Sequence, residues 1–175
     1  MKKTVIVING QGGCGKDTIC NIMAKYYKVK NISTVDPIKA IAKFAGWSGE
    51  KGDKARKMLA DLKQVFIEYN DLPLNFVMQE MQKFREDDND IMFVHCREKE
   101  EIAKIVNNAT VHTITLLIKR LDKYFEQKVY GNYADDEVES YDYDFIYKGN
   151  NETLEDLEKT FMAYFNSVIK PTLEN

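Results

Sequence analysis

The residues best suited to chemistry lie close together near the amino terminus: Gly10, Gly12, Gly13, Cys14, Gly15, Lys16, Asp17 and Thr18. Four of the chain's nine glycines fall between Gly10 and Gly15, and Lys16 follows at once. The spacing is GxxxxGK. Glycines let successive backbone N–H groups turn toward one anion, because no Cβ blocks the turn. A helix that starts at the lysine adds unpaired N–H groups and its positive dipole end. The lysine places a full charge near the β- and γ-phosphates of a nucleoside triphosphate. These eight residues are the expected ATP-binding set.

The same stretch also fits GxGxxG through Gly10, Gly12 and Gly15, the turn that cradles a dinucleotide, with Asp36 as a ribose-binding acid. Lys16 argues for the phosphate loop, since a dinucleotide turn has no use for a lysine there. Asp36 also lies further on than the usual ~20 residues.

Phosphoryl transfer requires positioning and cancellation of negative charge more than covalent chemistry. Arginine suits it, because a planar fork binds phosphate oxygens in pairs. The chain has four arginines: Arg56, Arg85, Arg97 and Arg120. Arg97 and Arg120 follow apolar runs, so they are expected at strand ends, and with Lys16 and Asp17 they form the expected catalytic set. Arg97 fits either an acceptor phosphate or a structural ion pair, and Arg120 either the transferring phosphate or a surface salt bridge. Arg56 begins a charged helix, and Arg85 reads as a surface residue. Asp17 stands where a Mg²⁺-binding hydroxyl is usual, with Thr18 one residue late. A bare carboxylate beside a triphosphate needs a cation between them, so Asp17 is expected to hold Mg²⁺ through water. Asp36 fits either a helix N-cap or an acceptor contact, and Lys39 is similarly open. His95 has no second ligand at zinc-site spacing. Cys20 and Cys96 read as packing, and Cys14 as a small loop residue.

The elements that must carry these residues alternate. Thr4 to Asn9 is a β-branched run expected to be a buried strand, and a helix is expected from about Lys16 to Tyr27. A second strand near Lys30–Thr34 stops at Asp36-Pro37, where a helix with Ile38, Ile41 and Ala42 begins. Helices follow over about Asp53–Asn70, with Met58, Leu62, Val65, Phe66 and Tyr69 as its apolar stripe, and after Pro73, with Val77, Met81 and Phe84. Ile91–Val94 delivers His95 and Arg97, and Ile102 and Ile105 mark the next helix. Val111–Ile118 ends at Lys119-Arg120. Phe145–Tyr147 is a last strand, and Thr153 caps a closing helix. Alternation of this kind predicts a parallel sheet covered on both faces, with ligands beyond the carboxyl ends of its strands. Between them, 121–144 is rich in tyrosine and acid. Tyr124, Phe125, Tyr130, Tyr133, Tyr141 and Tyr143 fit base stacking or lid and core packing. Asp135, Asp136, Glu137, Glu139, Asp142 and Asp144 read as a solvated face. The basic part, with Lys119, Arg120, Lys123 and Lys128, is expected to act as a lid over about 119–137.

At 175 residues the chain supports one substantial core, so one domain spanning 1–175 is expected. A formal charge of -3 argues against a nucleic-acid partner. The start MKKTVIVING carries about five apolar residues, too few for a signal h-region, and no run reaches membrane-span length. Three cysteines without CxxC spacing suit a reducing, cytoplasmic setting.

GKDT after such a loop resembles the deoxynucleoside monophosphate kinases of phage and bacteria, and GKD is similar to the loop of animal-type phosphomevalonate kinase. STVDPIKAIAKFAGW resembles the family's aspartate-proline-hydrophobic-lysine segment. FVHCREKEEI resembles its third-strand stretch, although His95 stands where that family usually has an aspartate. DYDFIYKGNNETLEDL resembles its closing strand, turn and helix. The resemblance implies an α/β fold of the three-layer α/β/α P-loop NTPase type, with a parallel five-stranded sheet. It implies a helical acceptor-binding insert at about 38–88, and Asp36, Lys39, Arg56 and Arg97 are the residues expected to meet the acceptor. ATP and Mg²⁺ would be the cofactors, and a small phosphorylated acceptor, first a (deoxy)nucleoside monophosphate, the partner. An ATP-binding switch without an acceptor, or a kinase of dephospho-coenzyme A or phosphomevalonate, is the alternative. Oligomeric state is not legible.

Overall fold

Four consecutive apolar residues, Val5 to Ile8, cannot face water on either side, and they form the centre of a sheet. The computed structural model describes residues 2–121, 138–150 and 153–174. Strand β1 (Thr4–Asn9) is buried along its whole length. It lies between β3 (Ile91–His95) and β4 (Thr113–Arg120), while β2 (Val29–Ser33) and β5 (Phe145–Gly149) occupy the two edges. All four pairings are parallel, and the order is β2-β3-β1-β4-β5. The expected five-stranded parallel sheet is thus present.

The helices are α1 (Lys16–Met23), α2 (Asp36–Phe44), α3 (Asp53–Asn70), α4 (Leu72–Glu86), α5 (Lys99–Asn108), α6 (Leu154–Tyr164) and α7 (Lys170–Leu173), the last two joined by a π-helical turn at Phe165–Ile169. Side chains alternate across a strand, so β1 feeds two cores. Ile6 and Ile8 pack with Ile19, Met23, Phe161 and Phe165 on one face of the sheet. Val5 and Val7 pack with Val77, Met81, Phe84, Ile102 and Ile105 on the other. Burying an Ile or Phe side chain is worth about 1.5–3 kcal/mol, so these two layers fix the sheet between its helices.

Several boundaries shift for local reasons. α1 ends at Met23, short of Tyr27, which packs instead on the Phe165 ring at 5.6 Å. β4 begins at Thr113, the partner of Val5 near the start of β1. β5 continues to Gly149 by pairing with Arg120. The α3 stripe differs most. Ala55 is buried and Leu62 and Phe66 are half-buried, but Met58, Val65 and Tyr69 are exposed. The stripe is wider than the flank covered by the neighbouring helices.

Thr153 caps α6, its side chain accepting from the Asp156 amide at 3.2 Å. Of the expected lid at 119–137, only 119–121 is described. Lys123, Tyr124, Phe125, Lys128, Tyr130, Tyr133, Asp135, Asp136 and Glu137 lie outside the described residues. Asp144 is no loose surface acid: its Oδ2 accepts from the Thr115 amide and hydroxyl at 2.7 and 2.9 Å, and its amide donates back to that hydroxyl. Among the described residues, no helix is long and apolar enough to cross a membrane.

Candidate active site

Parallel pairing sends every strand's carboxyl end to one rim. Ile8 stands opposite both His95 and Leu116, and Ser33 opposite His95. The loop after Asn9, the His95–Arg97 stretch, the Val35-Asp36 turn and Arg120 therefore share that rim.

The loop itself turns on glycine. Gly10, Gly13 and Gly15 have φ of 151°, 81° and 102°, where a side chain is strained. At Gly10 space is lacking too, since a Cβ would lie 2.5 Å from the Ile118 carbonyl oxygen and 2.6 Å from Cys14 Sγ. The loop is pressed against the end of β4, and only glycine fits. The Cys14 amide donates to Gln11 O at 3.2 Å, and Gly15 is the N-cap of α1. Lys16 reaches back over this turn, its ammonium donating to Gly10 O, and to Gln11 O at 3.0 Å. Its charge is thereby held among the loop amides. Burial pushes the Cys14 thiol up, against the opposing pull of Lys16.

Behind the loop is a hydrogen-bond chain that sequence reading missed. Asn9 is fully buried. Its Oδ1 accepts from the Gly10 amide at 2.7 Å, while Nδ2 donates to Arg97 O at 2.9 Å and to the Tyr143 hydroxyl at 2.7 Å. Tyr143 in turn donates to Val138 O at 2.8 Å. Burial holds the Tyr143 hydroxyl protonated, with its pKa pushed up to about 12. The available signal was a polar residue ending an apolar strand, because a buried amide must find partners.

At the mouth of α1, Asp17 and Cys20 stand three residues apart on one helix face and both meet His95. His95 Nδ1 is 3.9 Å from Asp17 Oδ1, and Nε2 is 3.7 Å from Cys20 Sγ. Asp17 is almost fully exposed, whereas His95 is largely covered. Burial lowers the His95 pKa from 6.5, Asp17 and Asp36 pull it up, and Lys16 and Lys39 push it down, leaving a net depression. The Cys20 thiol is pushed up to about 12, first by burial and then by the Asp17 charge. Cys20 therefore meets the imidazole as a neutral thiol.

Asp36 is the first residue of α2, with Val35 at the N-cap. Its Oδ2 accepts from the Ser33 amide at 2.7 Å, and its Oδ1 lies 3.8 Å from Lys39 Nζ. The carboxylate thus closes the turn out of β2. Arg97 is exposed at the rim, and Arg120 is half-buried at the end of β4 beside Lys119, which pairs with Glu139 at 2.8 Å. Arg56 lies out on α3, exposed, 3.6 Å from Asp53. Arg85 is exposed near the end of α4.

A second charged group beside the rim also escaped sequence reading. Lys63 of α3 donates to Glu98 Oε2 at 2.8 Å and Glu101 Oε2 at 2.9 Å, and the Cys96 thiol lies 3.6 Å from that Glu101 oxygen. Cys96, Glu98 and Glu101 are close enough together to share one ion, but the Lys63 ammonium already bonds both carboxylates there. Burial raises the Glu101 pKa, and Glu98 adds to the rise despite Lys63. At Glu98 burial pulls the same way, yet the charge and hydrogen bond of Lys63 outweigh it and the pKa falls.

No protein-family model matches the sequence, and comparison with curated proteins finds no match. Solved structures do match. A sugar kinase from a Janibacter species is similar over 96% of both chains, with a TM-score of 0.52 at 10% identity. The tunicamycin resistance protein of Deinococcus radiodurans is similar over 93% of this chain and 95% of its own, with a TM-score of 0.54 at 12% identity. The fold is P-loop kinase-like. At these identities the likeness is one of architecture.

Proposed function

We propose that the chain is an ATP-dependent phosphotransferase that moves the γ-phosphoryl group to the phosphate of a small acceptor, a deoxynucleoside monophosphate first among them. The observation that carries this reading is the loop: three left-handed glycines and the Lys16 ammonium at the carboxyl end of the central strand, leading directly into a helix. A kinase among the structures of similar architecture supports the reaction class. The GKDT motif and the Asp36-Pro37 segment support the acceptor class.

In this reading the loop amides and the amino end of α1 hold the triphosphate. Lys16 exchanges carbonyl partners for phosphate oxygens. Arg97, exposed beside the loop and anchored through its own carbonyl by Asn9, presents its fork to the acceptor phosphate. Arg120 approaches from the end of β4. Asp36, Lys39 and Arg56 lie toward the acceptor, on or beside the helical insert at about 38–88. Because the acceptor phosphate is already ionised, no general base is required. Asp17 fits Mg²⁺, being an exposed hard oxygen donor at the loop mouth. Bound there, Mg²⁺ would cancel charge on the β- and γ-oxygens.

The test is ATP consumption by the full chain against dTMP, dGMP, dCMP, dAMP, the four ribonucleoside monophosphates, phosphomevalonate and dephospho-coenzyme A, with the product identified. Stimulation by one monophosphate supports the reading. Slow turnover that no acceptor changes overturns it in favour of a switch or ATPase module.

A further inference from the structure

We infer that Asp17 and His95 together form a mixed oxygen–nitrogen site for the nucleotide-bound divalent ion, so that the protein prefers a transition ion such as Mn²⁺ over Mg²⁺. The inference rests on the kinase reading and concerns the ion that accompanies ATP.

Geometry comes first. His95 Nδ1 and Asp17 Oδ1 are 3.9 Å apart, on two different elements that meet at the mouth of the loop. Two donors bonded to one ion at about 2.1 Å each sit about 3–4 Å from one another. The pair therefore needs little adjustment to bind one ion, with phosphate oxygens and water completing the shell. Nucleotide-bound ions are ordinarily held this way, by one or two protein donors and the phosphates.

The environment of the imidazole fits as well. A histidine ligand nearly always donates its second ring N–H to a fixed partner, which sets tautomer and orientation. Here Nε2 faces the buried Cys20 sulfur at 3.7 Å, leaving Nδ1 to face Asp17. Cys20 is placed by the same helix that presents Asp17, so the spacing between carboxylate and imidazole is built into α1 and the tip of β3.

Chemistry then sets the preference. Mg²⁺ favours hard oxygen donors and gains least from a nitrogen, whereas the first-row transition ions accept imidazole beside oxygen, Mn²⁺ the least strongly of that series and the later ions more so. Phosphate and carboxylate oxygens accept either kind, so the single nitrogen decides. A strand-end carboxylate in place of His95 would remove that bias.

The probe is Mn²⁺ with the β,γ-imido analogue of ATP, bound to the full chain, compared with Mg²⁺ and the same nucleotide. We expect the nucleotide to bind tighter with Mn²⁺ than with Mg²⁺. Pulsed electron paramagnetic resonance of the Mn²⁺ complex should show coupling to an imidazole nitrogen. His95→Asp should lose the coupling and shift the preference to Mg²⁺, and His95→Asn should lose both coupling and preference. Equal affinity with the two ions, no nitrogen coupling in the unaltered protein, or coupling that persists in His95→Asp overturns the site and leaves the kinase reading standing. Should both variants fail to fold, the resonance spectrum of the unaltered protein decides alone. Absence of nucleotide binding with either ion overturns the kinase reading and the site together.

Discussion

The side-chain amide of Asn9 donates to the Tyr143 hydroxyl at 2.7 Å, linking the last residue of β1 to the segment that leads into β5. Asn9 also fixes the Gly10 amide and the Arg97 carbonyl, so the phosphate loop and the rim arginine are set by one side chain. Tyr143→Phe removes two hydrogen bonds, the one from Asn9 and the one to Val138 O, and should cost about 2 kcal/mol of stability. Asn9→Leu leaves the Tyr143 hydroxyl with Val138 O alone and takes the side-chain partner from the Gly10 amide and the Arg97 carbonyl, and should cost roughly 3 kcal/mol. If the pair positions the loop, Tyr143→Phe also raises KM for ATP beyond what its stability loss explains. Urea denaturation alongside ATP kinetics checks this. An unchanged KM would show that the bond serves packing alone.

How much of this was legible in the sequence depended on whether a residue acts through its neighbours in the chain. The loop, the alternation of strands and helices, and the α3 boundaries follow from local patterns: glycine spacing, β-branched runs and 3–4 periodicity. Asn9–Tyr143 and Lys63–Glu101 join residues far apart in sequence, and no periodicity announces them. Asp17, Cys20 and His95 were each noticed singly, but their meeting depends on the β1–β3 register. The exposed side of α3 was misjudged for a similar reason: 3–4 spacing identifies an apolar face but not how much of it a neighbour covers.

Gly10 tests the loop by bulk rather than charge. With φ of 151° and the Ile118 oxygen 2.5 Å from its would-be Cβ, Gly10→Ala must move either the loop or β4. Because the opposing atom is backbone, it cannot swing aside. We expect weaker nucleotide binding by at least about tenfold and a stability loss of about 1–3 kcal/mol. Calorimetric titration with ATP, beside a thermal melt, reads both. Gly52→Ala, where a Cβ meets nothing within 4 Å, is the control.

Lys16→Ala should lower phosphoryl transfer by at least about 100-fold. The lysine lies over the loop rather than in the core, so its melting temperature should stay near that of the unaltered chain. Full activity in a coupled assay would refute the phosphate-loop assignment.

Lys63→Met leaves the Glu98 and Glu101 carboxylates facing each other, largely covered. Breaking a buried pair in this way costs about 3–5 kcal/mol. Protonation of Glu101, already favoured by burial, should hold the loss near the lower end. Adding Glu101→Gln to Lys63→Met should recover part of it. Chemical denaturation of the two single variants and the double gives the coupling directly. Strict additivity would mean that the lysine and Glu101 do not support one another.

Stability should fall with acid in two stages, and the sign follows from the direction of each shift. His95 has a folded pKa below its ordinary 6.5, so below that pH the unfolded chain takes up the proton first and stability declines. Glu80 and Asp87 come next. Burial pulls both upward, but hydrogen bonds outweigh it: Lys30 and Lys83 lower Glu80, and Asn89 and Lys3 lower Asp87. Their contribution is complete above the ordinary 4.5 and 3.8, and is lost as pH falls through the depressed folded values. Glu101, with a raised pKa, works the other way and softens the first stage, because above 4.5 the folded state retains its proton longer. Lys30 bonds Glu80 at 2.8 Å and lies 3.8 Å from Asp87, so this cluster ties the end of α4 to β2 and should dominate the lower stage. Urea midpoints at pH 8, 5.5 and 3.5 should drop at each step, and Glu80→Gln should flatten the step between 5.5 and 3.5. A midpoint constant from pH 5.5 to 3.5 in the unaltered chain would show that these carboxylates contribute nothing to folding.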